Sequence, residues 1–281
     1  MNTTEIDACT AMPFFRESGS GTGVVCIHCN ASSSSQWRPL MDRLAQSHHV
    51  LAPDTHGAGR GPPWPSDRAL TLLDEVALLE PVFARAGKPF ALIGHSYGAA
   101  VALLAALQQP ERVRALVLYE PTLFSLIDAA SPRPNAADGI RQTVAMATAS
   151  LARGDRSAAA QVFIDYWMGE GTWLSKPELH RHAIEAAVVN VQRWGDALFG
   201  ETTPLAAFRA LKMPVLLMQG NETTSSARAV ATLLARTLRA GGRCNRRLPP
   251  AHPCLMSKLS VFQSKATLVP NTIETSIGTT T

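Results

Sequence analysis

The pentapeptide Gly94-His95-Ser96-Tyr97-Gly98 sits between two unlike runs of sequence. Before it stands Pro89-Phe90-Ala91-Leu92-Ile93, short and apolar, which reads as a buried strand. After it, Ala99 to Leu107 is rich in small apolar residues and reads as a helix. A serine at that junction is forced into a sharp strand-to-helix turn. Glycines two before and two after it remove the side chains that would collide there, and the turn lifts the hydroxyl out of the sheet. Gly-x-Ser-x-Gly alone recurs by chance in roughly one chain in ten of this length at average Gly and Ser usage. The flanking strand and helix supply the specificity.

The rest of the chain repeats the strand-helix rhythm. Residues 12–18 and 24–28 read as strands around the glycine-rich turn Gly19-Ser20-Gly21-Thr22-Gly23. The serine run Ser32 to Ser35 is expected to end in an N-cap for a helix near 36–46, with Trp37, Leu40, Met41 and Leu44 at helical spacing. A short strand, His49 to Pro53, is followed by the loop Asp54-Thr55-His56-Gly57-Ala58-Gly59-Arg60-Gly61 and a helix near 69–86. Val113 to Tyr119 and Met213 to Gln219 are further buried strands. Such alternation implies a mostly parallel sheet flanked by helices, an α/β fold.

Between those last two strands the sequence shows helical patterns near 137–153, 157–168 and 178–198 and no strand signal. This reads as an inserted helical cap over 122–205, on a core formed by 1–121 and 206–252. Trp167, Trp173 and Trp194 fall in the insert beside Phe163, Met168 and Phe199. They are expected chiefly to pack its own core, with some lining a pocket above Ser96 as the functional alternative.

With 281 residues, 46% of them hydrophobic, the chain can bury a large core. No apolar run is long enough to span a membrane, and the N-terminus lacks the basic start and apolar stretch of a secretory signal. Five cysteines without framework spacing argue for reduced thiols and a cytoplasmic setting. Cys26-Ile27-His28-Cys29 lies on a strand, where alternate residues face opposite ways, so no metal site is expected there. The net charge of +4 is uneven: residues from 236 onward carry +6 and the remainder −2. A basic tail is not the basic folded face that nucleic acid requires, and no nucleic-acid partner is expected.

At this point the chain resembles the α/β-hydrolase family, from about residue 12 to 252. His28-Cys29-Asn30 stands where the family has His-Gly-x, and Ser34 to Trp37 continue that motif. Asp54 to Arg60 resembles the family's Asp-x-x-Gly-x-Gly-x-Ser turn, and Gly94 to Gly98 is its nucleophile elbow. Cys29 in place of the family's glycine is a departure. The resemblance implies a serine hydrolase of carboxylesterase type, acting on a small molecule, with no cofactor and no metal.

A serine hydroxyl needs a histidine to take its proton and a carboxylate to orient that histidine, and the resemblance implies that they follow in the chain order Ser, acid, His. Only His180, His182 and His252 follow Ser96. The first two share a predicted helix with Glu178 and Arg181 and are expected on a solvated face. His252 follows the strand-like run Arg246 to Pro249 and is the expected base, although Pro250-Ala251-His252-Pro253 replaces the usual Gly-His context. The family's commonest acid position falls on Thr223, with Glu222 one residue away as the alternative acid. A second family arrangement takes the acid from the end of the preceding strand, here Glu120, and this is the preferred assignment. A carboxylate ending a buried strand wants a partner. The backbone N–H groups of Asn30 and Tyr97 are the expected oxyanion hole by resemblance. His95 and Asp54 are read as structural.

Residues 253–281 are Ser/Thr-rich with no steady helical period and read as an atypical, divergent or frame-altered tail that need not be ordered. Carboxylester hydrolysis is the expected chemistry. Thioester cleavage, C–C hydrolysis and perhydrolysis use the same parts. The rival class is a ligand-binding sensor or degenerate hydrolase with little turnover, motivated by the tail and by Thr223. Oligomeric state and substrate are not legible.

Overall fold

The computed structural model describes residues 12–240 and the strand residues 266–268. Among these, seven strands form one sheet: β1 (Phe15–Ser18), β2 (Thr22–Ile27), β3 (His48–Pro53), β4 (Phe90–His95), β5 (Val113–Tyr119), β6 (Val215–Gly220) and β7 (Ala266–Leu268). Their spatial order is β1-β3-β2-β4-β5-β6-β7. β3, β2, β4, β5 and β6 run parallel, and β1 and β7 close the two edges antiparallel. β7 comes from the stretch that reads as a tail, so the sheet draws on the chain beyond residue 252.

Helices cover both faces because β2 is apolar on both. Val24 and Cys26 pack with Val50, Ala52 and with Trp37 and Met41 beside α1 (Arg38–Leu44). Val25 and Ile27 point the other way, into the larger core with α2 (Leu72–Arg85) and α3 (Tyr97–Gln108). The serine run caps the first helical segment as expected: Ser33 Oγ accepts from Ser35 N–H at the start of a 3₁₀ turn, Ser34–Trp37, that runs into α1. Along α3 every residue from Tyr97 to Ala106 is buried, which its small side chains permit.

Every regular element between β5 and β6 is helical: α4 (Ser125–Ala130), α5 (Asp138–Ala152), α6 (Arg156–Met168), α7 (Thr172–Ser175), α8 (Glu178–Ala187) and α9 (Val191–Gly200), then a 3₁₀ turn, Leu205–Ala210. The single helix expected over 178–198 is instead α8 and α9, broken by a 3₁₀ turn at Val188–Asn190. The reason is Asn190, whose Nδ2 donates to Ala187 O (3.3 Å) and to Gly57 O (3.0 Å) in the β3–α2 loop. α4 and α7 are too short to leave a periodic signal.

The aromatic residues of this insert mostly pack one another. Trp173 and Trp194 are buried, and Phe163 lies 5.9 Å from Trp194 and 6.4 Å from Trp167, centroid to centroid. Met168 is exposed. α8 buries no residue, and His180 and His182 sit on its exposed surface, His182 between Glu178 and Glu185 at 3.6 Å from each. A further helix, α10 (Ser225–Ala240), follows β6. Among the described residues no helix is long and apolar enough to cross a membrane.

Candidate active site

Ser96 occupies the turn between β4 and α3 with φ 54 and ψ −114. That conformation is rare for a residue with a side chain and costs about 1–3 kcal/mol. The backbone around it is fixed. Ser96 N–H donates to Tyr119 O at 2.8 Å, and Ser96 O accepts from the N–H groups of Ala99 and Ala100. The two flanking glycines are sterically required. A Cβ on Gly94 would lie 2.4 Å from Gly98 O, and one on Gly98 would lie 2.3 Å from Ile27 O. Tyr97 N–H opens α3, at a position where a helix has no acceptor of its own and where its dipole is positive.

Among the described residues, three non-glycine residues adopt positive φ: Ala31 at 53°, Ser96 at 54° and Glu120 at 49°. All three lie just past the carboxyl ends of neighbouring strands, β2, β4 and β5. Glu120 N–H donates to Met218 O (2.9 Å), and its Oε1 accepts from Gly220 N–H (2.8 Å). The carboxylate therefore lies over the end of β6. Burial, with a smaller contribution from the Glu120 charge, pushes both Tyr119 and Cys29 up to about 12. Cys29 follows β2, and β4 with Ser96 at its end runs between β2 and β5. Ser96 and Glu120 thus follow the carboxyl ends of adjacent strands, β4 and β5. Glu222 is exposed on the turn after β6, and Thr223, at the commoner acid position, carries no carboxyl group. His252 lies outside the described residues.

The loop after β2 is tied down at several points. His28 Nδ1 donates to Cys29 O (2.7 Å) while its Nε2 accepts from Thr55 N–H (3.2 Å), so the ring is the neutral Nδ1–H tautomer. Burial lowers its pKa and keeps it so. Asp54 accepts from the N–H groups of Ser34 and Arg60, fastening this loop to the β3–α2 loop. Asn30, the expected oxyanion donor, is half-buried within this clamped segment. His95 is buried, packs against Tyr119 at 4.8 Å between centroids, and is lowered to about 3 by burial and by His28. Both His95 and Asp54 thus make structural contacts.

Two polar residues escape the sequence reading. Glu75 is fully buried on α2, where its Oε1 accepts from Tyr97 Oη–H (3.0 Å) and its Oε2 from His56 N–H (3.1 Å). Burial pushes its carboxyl up to about 8. The signal was present, because Glu75 falls in register with Leu72, Val76 and Leu79 on the apolar face of α2. Gln36, half-buried in the 3₁₀ turn before α1, gives no such signal.

Residues 24–257 match the α/β hydrolase family profile. The chain belongs to the α/β-hydrolase family. It is 30% identical over 228 residues to the 2-(acetamidomethylene)succinate hydrolase of Mesorhizobium japonicum, covering 80% of this chain and 78% of that protein. It is also 30% identical over 128 residues to a pimeloyl-acyl-carrier-protein methyl ester esterase of Aliivibrio fischeri, covering 46% of this chain and 44% of that enzyme. A solved α/β hydrolase from Sphaerobacter thermophilus superposes with a TM-score of 0.63 at 27% identity, over 80% of this chain and 84% of its own. This family member therefore has the expected fold, and both of these relatives are hydrolases by name.

Proposed function

We propose that this α/β-hydrolase family member is a serine hydrolase of small carboxylic esters or related acyl compounds. The observation that carries the reading is the strained Ser96 at the β4–α3 turn, with the Glu120 carboxylate at the end of the next strand. In this reading Ser96 Oγ attacks the carbonyl carbon and its proton passes to His252. The carbonyl oxygen becomes an oxyanion facing the N–H groups of Asn30 and Tyr97. The imidazolium returns the proton to the leaving alkoxide, giving an alcohol and an acyl-Ser96 ester. Water, deprotonated by His252, then releases the acid and restores Ser96. Glu120 orients His252 and balances its transient charge. The chain that carries His252 joins the sheet at Ala266, opposite Gly220, whose N–H Glu120 holds. The helical insert between β5 and β6 would cap the site and set the substrate. Esterase and hydrolase relatives are consistent with this chemistry.

The test is labelling by a fluorophosphonate together with turnover of a short-chain nitrophenyl ester. Labelling that S96A and H252A each abolish, with turnover reduced by at least about 1000-fold, is the expected result. Absence of both labelling and turnover in the purified full chain overturns the reading. Thr223 at the commoner acid position favours a second reading, a binding protein with little turnover. Ligand binding without labelling would select it.

A further inference from the structure

We infer that Gln36 is a positioning residue that fixes the oxyanion loop relative to the nucleophile elbow. The inference rests on the serine-hydrolase reading for its catalytic consequence, but not for its structural one. The side-chain amide of Gln36 spans the gap between the two halves of the expected oxyanion hole. Its Oε1 accepts from Cys29 N–H at 3.2 Å, immediately before Asn30. Its Nε2 stands 3.1 Å from His95 Nδ1, immediately before Ser96. The orientation of the amide follows from chemistry. A backbone N–H only donates, so the atom facing Cys29 is the oxygen, and the NH₂ group faces the histidine. His95 must then present a bare Nδ1 and carry its proton on Nε2.

The bridge matters because both backbone polar groups of Cys29 are thereby held. Its carbonyl accepts from His28 Nδ1–H, and its N–H is held by Gln36. The next two residues are Asn30 and the positive-φ Ala31, so the donor lies in a strained stretch that its neighbours must hold in place. Tyr97 N–H is independently set by the start of α3. Two donors stabilise an oxyanion only when both lie at about 2.7–3.1 Å from it, so their relative placement is itself a catalytic quantity. Gln36 couples one donor's loop to the other's turn directly, through His95.

Losing a donor outright costs about 100- to 1000-fold in rate. Loosening one should cost less. For Q36L the expected result is a fall in kcat for the nitrophenyl ester of about 10- to 100-fold, with KM changed less than about threefold, because the ground-state ester needs the hole less than the oxyanion does. A trifluoromethyl ketone, which forms an oxyanionic adduct, should lose affinity by the same factor as kcat/KM. Q36E keeps an acceptor for Cys29 N–H but, as a carboxylate, cannot donate to His95, and should fall between wild type and Q36L. Independently of catalysis, exchange of the Cys29 amide, whose N–H the bridge holds, should speed about 2- to 10-fold in Q36L, the loss of one hydrogen bond's worth of protection, while the β4 amides are unchanged.

Unchanged exchange at the Cys29 amide in Q36L, or in Q36A should Q36L not fold, overturns the bridge whether or not the protein is an enzyme. Faster exchange with unaltered kcat and ketone affinity also overturns it as a positioning residue. A wild-type chain that neither labels nor turns over, yet shows the exchange effect, refutes the hydrolase reading and the catalytic role while leaving the tether standing.

Discussion

Glu75→Gln isolates one buried ionisable group beneath the elbow. Glu75 has no exposed surface, and desolvation is the main cause of a carboxyl raised from 4.5 to about 8. The bonds from His56 N–H and Tyr97 Oη–H oppose that rise and the charge of Asp74 adds to it. A raised acid pKa means that the folded protein binds the proton more tightly than the unfolded chain. Between pH 4.5 and 8 the unfolded chain releases this proton while the native state keeps it. Stability from this site is therefore complete below about pH 4.5 and declines as pH rises to about 8, by roughly 1.4 kcal/mol per pH unit at most. The amide introduced by E75Q would reproduce the neutral carboxyl: its oxygen can accept from His56 N–H and its NH₂ group can donate to Tyr97 Oη. It cannot titrate, so every other ionisable group cancels when the two proteins are compared. The advantage of E75Q over wild type should widen by about 3–4 kcal/mol between about pH 5 and pH 8. Urea unfolding followed by tryptophan fluorescence at each pH measures it. A gap that stays constant across that range would refute the buried, neutral carboxyl.

Gly98→Ala should destabilise the fold by about 1–3 kcal/mol, because the new methyl meets backbone oxygens of Ile27 and His28 at 2.3 and 2.6 Å that have no room to retreat; thermal unfolding checks it. Asp54→Ala removes the acceptor for Ser34 and Arg60 N–H, and should cost about 2–4 kcal/mol in urea unfolding, with a loss within about 0.5 kcal/mol showing the loop tie to be dispensable. Glu120→Gln should lower ester turnover at least about 100-fold and Glu222→Gln less than about threefold. Equal small losses in steady-state assays would remove Glu120 from the triad.

What the sequence reveals about this fold depends on how local the cause is. β2, β4, β5 and β6 are legible because a strand covered on both faces must be apolar throughout, and that is a property of a few adjacent residues. The elbow is legible for a related reason. Gly94 and Gly98 are spaced to admit backbone atoms of Gly98 and Ile27, so the constraint leaves its mark within the pentapeptide itself. The break between α8 and α9 is not legible, since Asn190 ends the pattern by bonding Gly57, 133 positions away. Nor is β7, three residues recruited to an edge by pairing with β6. Glu120 is preferred on the ground that a carboxylate there needs a partner. One of its oxygens has Gly220 N–H for that role, a contact 100 residues apart that no local pattern encodes. Gln36 is invisible for the same cause, being defined by what lies at each end of its amide.

The placement of strain explains why those long-range contacts collect where they do. Ala31, Ser96 and Glu120 each hold a conformation that an isolated chain would abandon, at about 1–3 kcal/mol apiece. A single strained turn can be held by its own neighbours, as Ser96 is by Tyr119, Ala99 and Ala100. Three at the ends of three adjacent strands cannot relax independently, because each is hydrogen-bonded into the next. Ser96 N–H is bound to Tyr119 O, Glu120 N–H to Met218 O, and the segment before Ala31 is tied through Gln36 to His95. Beneath them Asp54 and Glu75 fasten the β3–α2 loop to the β2 loop and to Tyr97. The apolar core beneath the edge can bear this: α3 is buried from Tyr97 to Ala106 and packs with Val25, Ile27, Leu92, Leu116 and Leu118 of the strands. The polar ties at the carboxyl edge are thus what convert core stability into a fixed arrangement of strained backbone, the preorganised geometry on which the proposed serine-hydrolase reading would draw.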